Sequence, residues 1–220
     1  MAVQPRARSG TTRIQRETGE AEGPDLAERE IRMSVLSSAE ELDHLTGSYQ
    51  LDPAHSRLGF AARYAVVTRV RGAFDSFEGR FHFDARDQTR CSIVLTIDPA
   101  SIRTSNPDRD RHLRSGDFFD VERYPTITFE STGVTALGDS RYRVTGDLTI
   151  KAVTRPVELD LTYEGSCVDP YGQLRVGIEG SASLKRSDWG LTWNVALEAG
   201  GLVLGDGIDL EFDISAIKVD

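Results

Sequence analysis

Four histidines, two cysteines and one dense run of charges are the side chains of this 220-residue chain best suited to chemistry. Nucleophilic or acid–base catalysis needs a nucleophile, a base and a group that orients the base. His44 precedes any strand pattern, His82 falls on the polar parity of its segment, His55 follows Asp52-Pro53, and His112 sits in a short charged stretch. No Gly-x-Ser-x-Gly elbow, phosphate-binding loop or dinucleotide glycine fingerprint is present. The glycine-rich run from Gly200 to Gly205 feeds an apolar alternation, so it reads as a turn into a strand. Asp110 with His112, and Asp52 with His55, each place one imidazole beside one carboxylate, short of a structural or catalytic metal set. No metal and no cofactor are therefore expected. His55 is read as hydrogen-bonding backbone at a bend between two halves of the first strand. Cys91 and Cys167 form no Cys-x-x-Cys unit, and both are read as unpaired thiols.

The charged run comprises Arg103, Asp108, Arg109, Asp110, Arg111, Arg114, Asp117 and Asp120. Two readings stand side by side. One is a surface stretch laced with ion pairs, each contributing about 0–1 kcal/mol. The other is a polar collar at a pocket mouth, with Arg109, Asp110, His112 and Arg114 facing a ligand headgroup.

The elements that must position these groups are strands. From Ser48 onward apolar and polar residues alternate, the mark of half-buried β-structure. Leu58, Phe60, Ala62 and Tyr64 share one face; so do Phe77, Phe81 and Phe83, and then Cys91, Ile93, Leu95 and Ile97. Ile127 with Phe129, Val144 with Leu148 and Ile150, and Val157 with Leu159 and Leu161 repeat the device, as do the segments 174–184 and 208–214. Turn signals at Gly138-Asp139-Ser140, Asp169-Pro170-Tyr171-Gly172 and Gly205-Asp206-Gly207 join them. About eight one-sided antiparallel strands close most naturally into a barrel, which leaves no exposed edge and holds one small ligand. A two-sheet sandwich satisfies the same alternation. Two stretches interrupt it: Asn106-Pro107-Asp108 opens a short helix through Arg114, followed by a helical turn over 117–121, and Ser187-Asp188-Trp189-Gly190 makes one tight turn.

Residues 1–46 differ. They hold six arginines, nine acids and no aromatic residue, which predicts a disordered or weakly helical tail ahead of a 47–220 barrel. A short helix over 26–45 is the structured alternative. The net charge of -9 argues against nucleic acid and against an anionic membrane surface. No apolar run approaches the ~20 residues of a membrane span, and none follows the N-terminal arginines, so a cytoplasmic location is expected.

Several runs carry a family resemblance. They are 49–56 (YQLDPAHS), 70–74 (VRGAF), 101–120 (SIRTSNPDRDRHLRSGDFFD), 124–129 (YPTITF), 146–150 with 153–157, and 188–194 (DWGLTWN). In this order they resemble the YceI-like proteins over 48–218. The resemblance implies a lipocalin-like barrel whose cavity takes polyisoprenoids, quinone-like lipids or fatty-acid amides, with no catalytic residues. Many members of that family have His where Tyr64 stands, and many carry a secretory signal for which this chain shows no counterpart.

The expectation is then an all-β, eight-stranded antiparallel, lipocalin-like barrel with short helical insertions. It acts as a non-enzymatic carrier, store or sensor of one long isoprenoid or fatty-acyl lipid. Phe60, Tyr64, Phe77, Phe81, Ile93, Phe129 and Leu148 are expected along the chain, under a lid of Phe118, Phe119, Trp189 and Trp193. No stable membrane insertion is expected, and homodimer formation is left open. The alternatives are an interaction module with the tail as a regulatory arm, or an isomerase or hydrolase using Tyr64, His55 or Asp110.

Overall fold

The computed structural model describes residues 42–65, 67–196 and 202–219. The expected tail (1–46) and the helix expected over 26–45 lie outside them up to residue 41. Eleven strands are described: β1 (Gly47–Leu51), β2 (Arg57–Tyr64), β3 (Thr68–Phe74), β4 (Phe77–Phe83), β5 (Ser92–Ile97), β6 (Ile102–Arg103), β7 (Ile127–Gly138), β8 (Arg141–Ile150), β9 (Val153–Val168), β10 (Leu174–Lys185) and β11 (Leu204–Lys218). One helix, α1 (Pro107–Arg114), sits between β6 and β7.

Eight strands close into the expected antiparallel barrel in the order β1-β4-β5-β7-β8-β9-β10-β11, with β11 pairing back to β1. The sandwich is excluded by that closure. The bend expected around His55 is real. β1 and β2 are two halves of one strand against β11, broken by the 3-10 turn Pro53–His55. Beyond the break the second half leaves the ring, and β2, β3 and β6 form a flap extending from β11. β3 escapes the alternation because its face alternates Val70, Gly72 and Phe74 with Arg69, Arg71 and Ala73, leaving a glycine where an apolar residue is needed.

Local chemistry sets the turns. Gly138, Asp139 and Ser140 all have positive φ, and the Asp169 carboxylate accepts from the N–H groups of Tyr171 and Gln173. Asn106 caps α1 by accepting from the N–H groups of Asp108 and Arg109. The helical turn expected over 117–121 is a set of separate turns instead, with Asp120 at φ 50° breaking any continuous ladder. Gly205-Asp206-Gly207 is not a loop either. It lies within β11, where the register against β2 shifts between Leu204 and Ile208, so the glycines accommodate a bulge. The Asp206 carboxylate uses that bulge to hold the N–H and hydroxyl of Ser187.

The turn Arg186–Trp189, closed by Gly190 at φ 71°, occurs where the sequence places it. Arg186 is 7% exposed and donates to the carbonyls of Leu191, Trp193, Leu204 and Gly205. A buried guanidinium thereby ties the 191–194 segment to the start of β11.

Candidate ligand cavity

The barrel interior is filled unequally along its axis. Towards α1, Phe118, Ile127, Phe129, Leu148, Ile150, Val157, Trp189 and Leu191 make a packed cluster, each under a tenth exposed. Towards the other end lies a cavity of about 100 Å³. Its wall is built by inward residues near the strand ends: Tyr49 of β1, Phe81 and Phe83 of β4, Ile93 of β5, Val134 of β7, Tyr142 and Val144 of β8, Leu161 and Tyr163 of β9, and Val176 and Ile178 of β10. Val144 belongs to both the cavity wall and the packed cluster, so void and cluster are continuous. Along β8, Val144 and Leu148 are four positions apart, about 13 Å at strand rise.

Leu42 and Leu45 complete the wall. They lie inside the segment expected as tail, yet Leu45 is 3% exposed and Leu42 packs beside it. A 3-10 turn, Asp43–Leu45, presents them. It is fastened by Tyr49 Oη donating to Leu45 O at 2.7 Å, by a two-pronged Arg86–Asp43 contact at 2.7 and 2.9 Å, and by Lys218 Nζ donating to Thr46 O at 2.6 Å. The segment just ahead of β1 is a stopper in the barrel end.

The wall is mostly apolar; its one imidazole, His82, lies 3.2 Å from the Ser48 hydroxyl. Tyr49 stacks on Phe81 at 4.7 Å between ring centres, and Phe83 meets Tyr142 edge-on at 6.0 Å. Cys91 faces the cavity, as its parity with Ile93 predicts, and its thiol lies 3.3 Å from the Asp84 N–H. Burial pushes up the pKa of both Cys91 and Tyr142, which keeps them neutral. A neutral thiol in an apolar wall is a poor nucleophile. Cys91 and Cys167 are both free thiols, Cys167 being exposed.

Of the residues expected to line a ligand, Phe81 and Ile93 border the cavity. Phe118, Phe129, Leu148 and Trp189 belong to the packed cluster, with Phe119 and Trp193 against it. Phe77 packs with Leu51, Leu58 and Ile214. Phe60 lies 5.7 Å from Phe74, and Tyr64, at the end of β2, is 49% exposed. The aromatic lid thus stands at the α1 end, opposite the cavity.

The expected rim residues are fastened to their own loop. Thr104 is the hub: its N–H and hydroxyl donate to Asp110, while Arg109 donates to its hydroxyl and carbonyl. Asp110 is 7% exposed. Arg114 donates to the carbonyls of Ala100 and Ile102, and His112 sits 2.8 Å from Asp117 while meeting Phe118 and Trp193 edge-on. Of these four, only His112 meets a carboxylate; Arg109, Asp110 and Arg114 are held by Thr104 and backbone carbonyls instead of ion pairs.

His55 corrects its expectation. Its ring meets the Asp52 carboxylate at 2.8 Å instead of backbone, because Asp52 is already held there by Arg175 at 2.6 Å. Tyr64, His55 and Asp110 do not converge: one ends β2, one precedes it, and one is locked to Thr104. Among the described residues no three His, Cys, Asp or Glu side chains are grouped to hold a metal, and no helix is long and apolar enough to cross a membrane.

Of the wall, sequence reasoning named only Phe81 and Ile93 as ligand residues; it put neither Leu42 and Leu45, nor Tyr49, His82 and Val134, nor the inward Tyr142, Leu161, Tyr163 and Val176 against a ligand. Alternation marks which residues face inward but not which end of a barrel is left unfilled. The Leu42 and Leu45 pair, three apart and outside the alternation, was the one available signal for the stopper.

Closed barrel, flap, capped α1 and apolar interior together define a lipocalin-like binding fold. The YceI-like domain family matches residues 49–216, and this chain belongs to that family. It is 37% identical over 170 residues to a UPF0312 protein of Staphylococcus aureus, covering 77% of this chain and 95% of that one. A UPF0312 protein of Pseudomonas aeruginosa is 40% identical over 149 residues, 67% of this chain and 78% of the other. Among solved structures, the Campylobacter jejuni YCEI protein superposes with a TM-score of 0.62 at 26% identity, over 72% of this chain and 90% of that one. BcnA of Burkholderia cenocepacia has a TM-score of 0.65 at 24% identity, over 75% and 98%. A polyisoprenoid binding domain from Saccharophagus degradans has a TM-score of 0.60 at 18% identity, over 78% and 98%.

Proposed function

We propose that this protein binds the apolar chain of one long lipid, of isoprenoid, quinone or fatty-acid amide type, inside the barrel and without catalysis. The observation that carries this reading is an apolar cavity within a closed barrel, with the Cys91 thiol and the Tyr142 phenol in its wall kept neutral by burial. Removing a chain from water is favourable by about 0.8 kcal/mol per CH₂, less the costs of association and ordering. The polyisoprenoid binding of the Saccharophagus fold neighbour supports the choice of ligand class.

Size adds a requirement. Pockets that bury a whole small-molecule ligand span about 300–1,000 Å³, whereas this cavity measures about 100 Å³. It takes the end of a chain; the remainder needs side chains of the adjoining cluster to move. Phe118, Phe119 and Trp193 lie outside the barrel strands, so they can do so without breaking the barrel ladder. The direct test is retention of a fluorescent prenyl or alkyl probe through gel filtration. One probe per chain, displaced by unlabelled long-chain lipid, is the expected result; a probe eluting apart from the protein overturns the reading.

A further inference from the structure

A lipid has a bare end and a polar end, and the two ends of this barrel treat polar atoms differently. The cavity beside the stopper is faced almost wholly by apolar atoms, so a hydrocarbon terminus suits it and a polar head would lose its hydrogen bonds there. The head then lies towards α1. Most hydrogen-bonding side chains at that end are occupied. Arg109 and Asp110 are bound to Thr104, Arg114 to the carbonyls of Ala100 and Ile102, and Arg186 to four carbonyls. The Trp189 indole N–H donates to Leu148 O at 3.1 Å, and Asn194 both donates to Leu204 O and accepts from its N–H.

Two groups beside the aromatic cluster are unspent, and they are neighbours. The rings of His112 and Trp193 meet edge-on with centres 4.5 Å apart, and both touch Phe118, at 5.1 and 5.4 Å. His112 Nε2 lies 2.8 Å from a carboxylate oxygen of Asp117. A carboxylate only accepts, so this contact keeps a proton on Nε2 and leaves Nδ1 as the acceptor of the neutral ring. Among the described residues Nδ1 has no hydrogen-bond partner, nor has the Trp193 indole N–H, and neither atom is sealed from its surroundings. One acceptor and one donor thus stand on adjoining rings. Asp117 orients the first, and the second is carried by a residue whose carbonyl Arg186 holds at 3.0 Å.

We propose that His112 and Trp193 form the headgroup site of the bound lipid, taking an uncharged head that both donates and accepts a hydrogen bond: a hydroxyl or a carboxamide. His112 Nδ1 accepts from the O–H or N–H of the head, and the Trp193 N–H donates to its oxygen. A quinone carbonyl, which only accepts, fills the indole half alone. An anionic head sets its charge against the Asp117 carboxylate. Because both rings pack on Phe118, the head is met where the aromatic lid must open for the chain. The assignment rests on the lipid-binding reading and fixes the direction of the lipid, bare end at the stopper and head at α1.

The experiment displaces the fluorescent alkyl probe from the full chain with hexadecanol, its methyl ether and hexadecene. The alcohol donates and accepts, the ether only accepts, and the alkene does neither. His112→Phe keeps a ring beside Phe118 and Trp193 but removes the acceptor. It is expected to weaken the alcohol about fivefold while the ether and alkene bind as to wild type. Trp193→Phe should weaken alcohol and ether by a similar factor, measured against the alkene, whose affinity reports packing alone. In nitrogen NMR of wild type, the unprotonated Nδ1 signal of His112 should move when the alcohol binds and stay when the alkene binds. An alcohol affinity that His112→Phe leaves unchanged relative to the alkene, or an Nδ1 signal that the alcohol does not move, overturns the headgroup site while the cavity reading stands. A wild type that retains no probe overturns the cavity reading and the headgroup site with it.

Discussion

Phe81 and Phe129 show how differently two inward aromatics of similar parity are used. Phe129 is 4% exposed, and its ring occupies the space above Gly146, where a Cβ would lie 2.4 Å from the ring. Phe81 stacks on Tyr49 at the cavity wall. Phe129→Ala is therefore expected to cost about 3–5 kcal/mol in urea unfolding, the transfer loss plus a new cavity. Phe81→Ala should cost clearly less and chiefly alter probe retention; equal losses would mean the cavity is solid core in solution. Charge supplies a second residue-scale test. Asp52 is held below its usual pKa first by the Arg175 guanidinium, and Asp169 first by the Gln173 N–H and then by Arg175. A carboxyl whose folded pKa lies below its unfolded value of about 3.9 stabilises the protein above that pH, and the contribution fades as pH falls through the folded pKa. Arg175→Met should thus lower stability near neutral pH, with the gap to wild type narrowing below about pH 4. A gap that stays constant under acid would show that Arg175 acts through packing alone.

At the scale of elements, the stopper and the aromatic cluster are the two ends of one problem. The strands themselves were legible because one face of each is apolar and the other polar, and α1 because Asn106-Pro107-Asp108 is a helix start. The bulge at Gly205-Asp206-Gly207 was not, since paired glycines signal a loop or a bulge equally well and only the β2 register separates them. Nor was the flap: β3 breaks its apolar face with Gly72, where a Cβ would strike Phe60 at 2.4 Å. The stopper was hidden for another reason. It carries no strand signal itself and draws its place from Tyr49 of the adjoining β1 and from Arg86 and Lys218, far along the chain. Because Leu45 is buried at 3% exposure, Leu45→Ala is expected to cost about 2–5 kcal/mol. A chain beginning at Gly47 should melt well below one beginning at residue 42. An unchanged midpoint would show that the stopper is a surface flap.

For the whole molecule, the interior reads as a single greasy channel that is packed towards α1 and hollow towards Leu45. Phe118, Phe129, Leu148 and Trp189, expected along a ligand, occupy the packed half, while Phe81 and Ile93 border the hollow one. Parity places Phe81, Ile93, Phe129 and Leu148 inside and the interruptions supply Phe118 and Trp189, but whether an inward aromatic touches a ligand or its neighbours is decided by the filling of the barrel, which no local pattern records. The rim residues illustrate the converse: Arg109, Asp110 and Arg114 carry the charge of a headgroup site, yet their hydrogen bonds are spent on Thr104, Ala100 and Ile102. What remains to hold a ligand's chain is apolar surface. The claim that this surface serves one lipid chain is met most directly by native mass spectrometry of the protein as purified, followed by solvent extraction. The account predicts a complex heavier than the chain by one discrete long-chain lipid, recovered intact in the extract and replaced one-for-one by an added prenyl lipid. A bare chain mass that persists when prenyl and acyl lipids are supplied would contradict it.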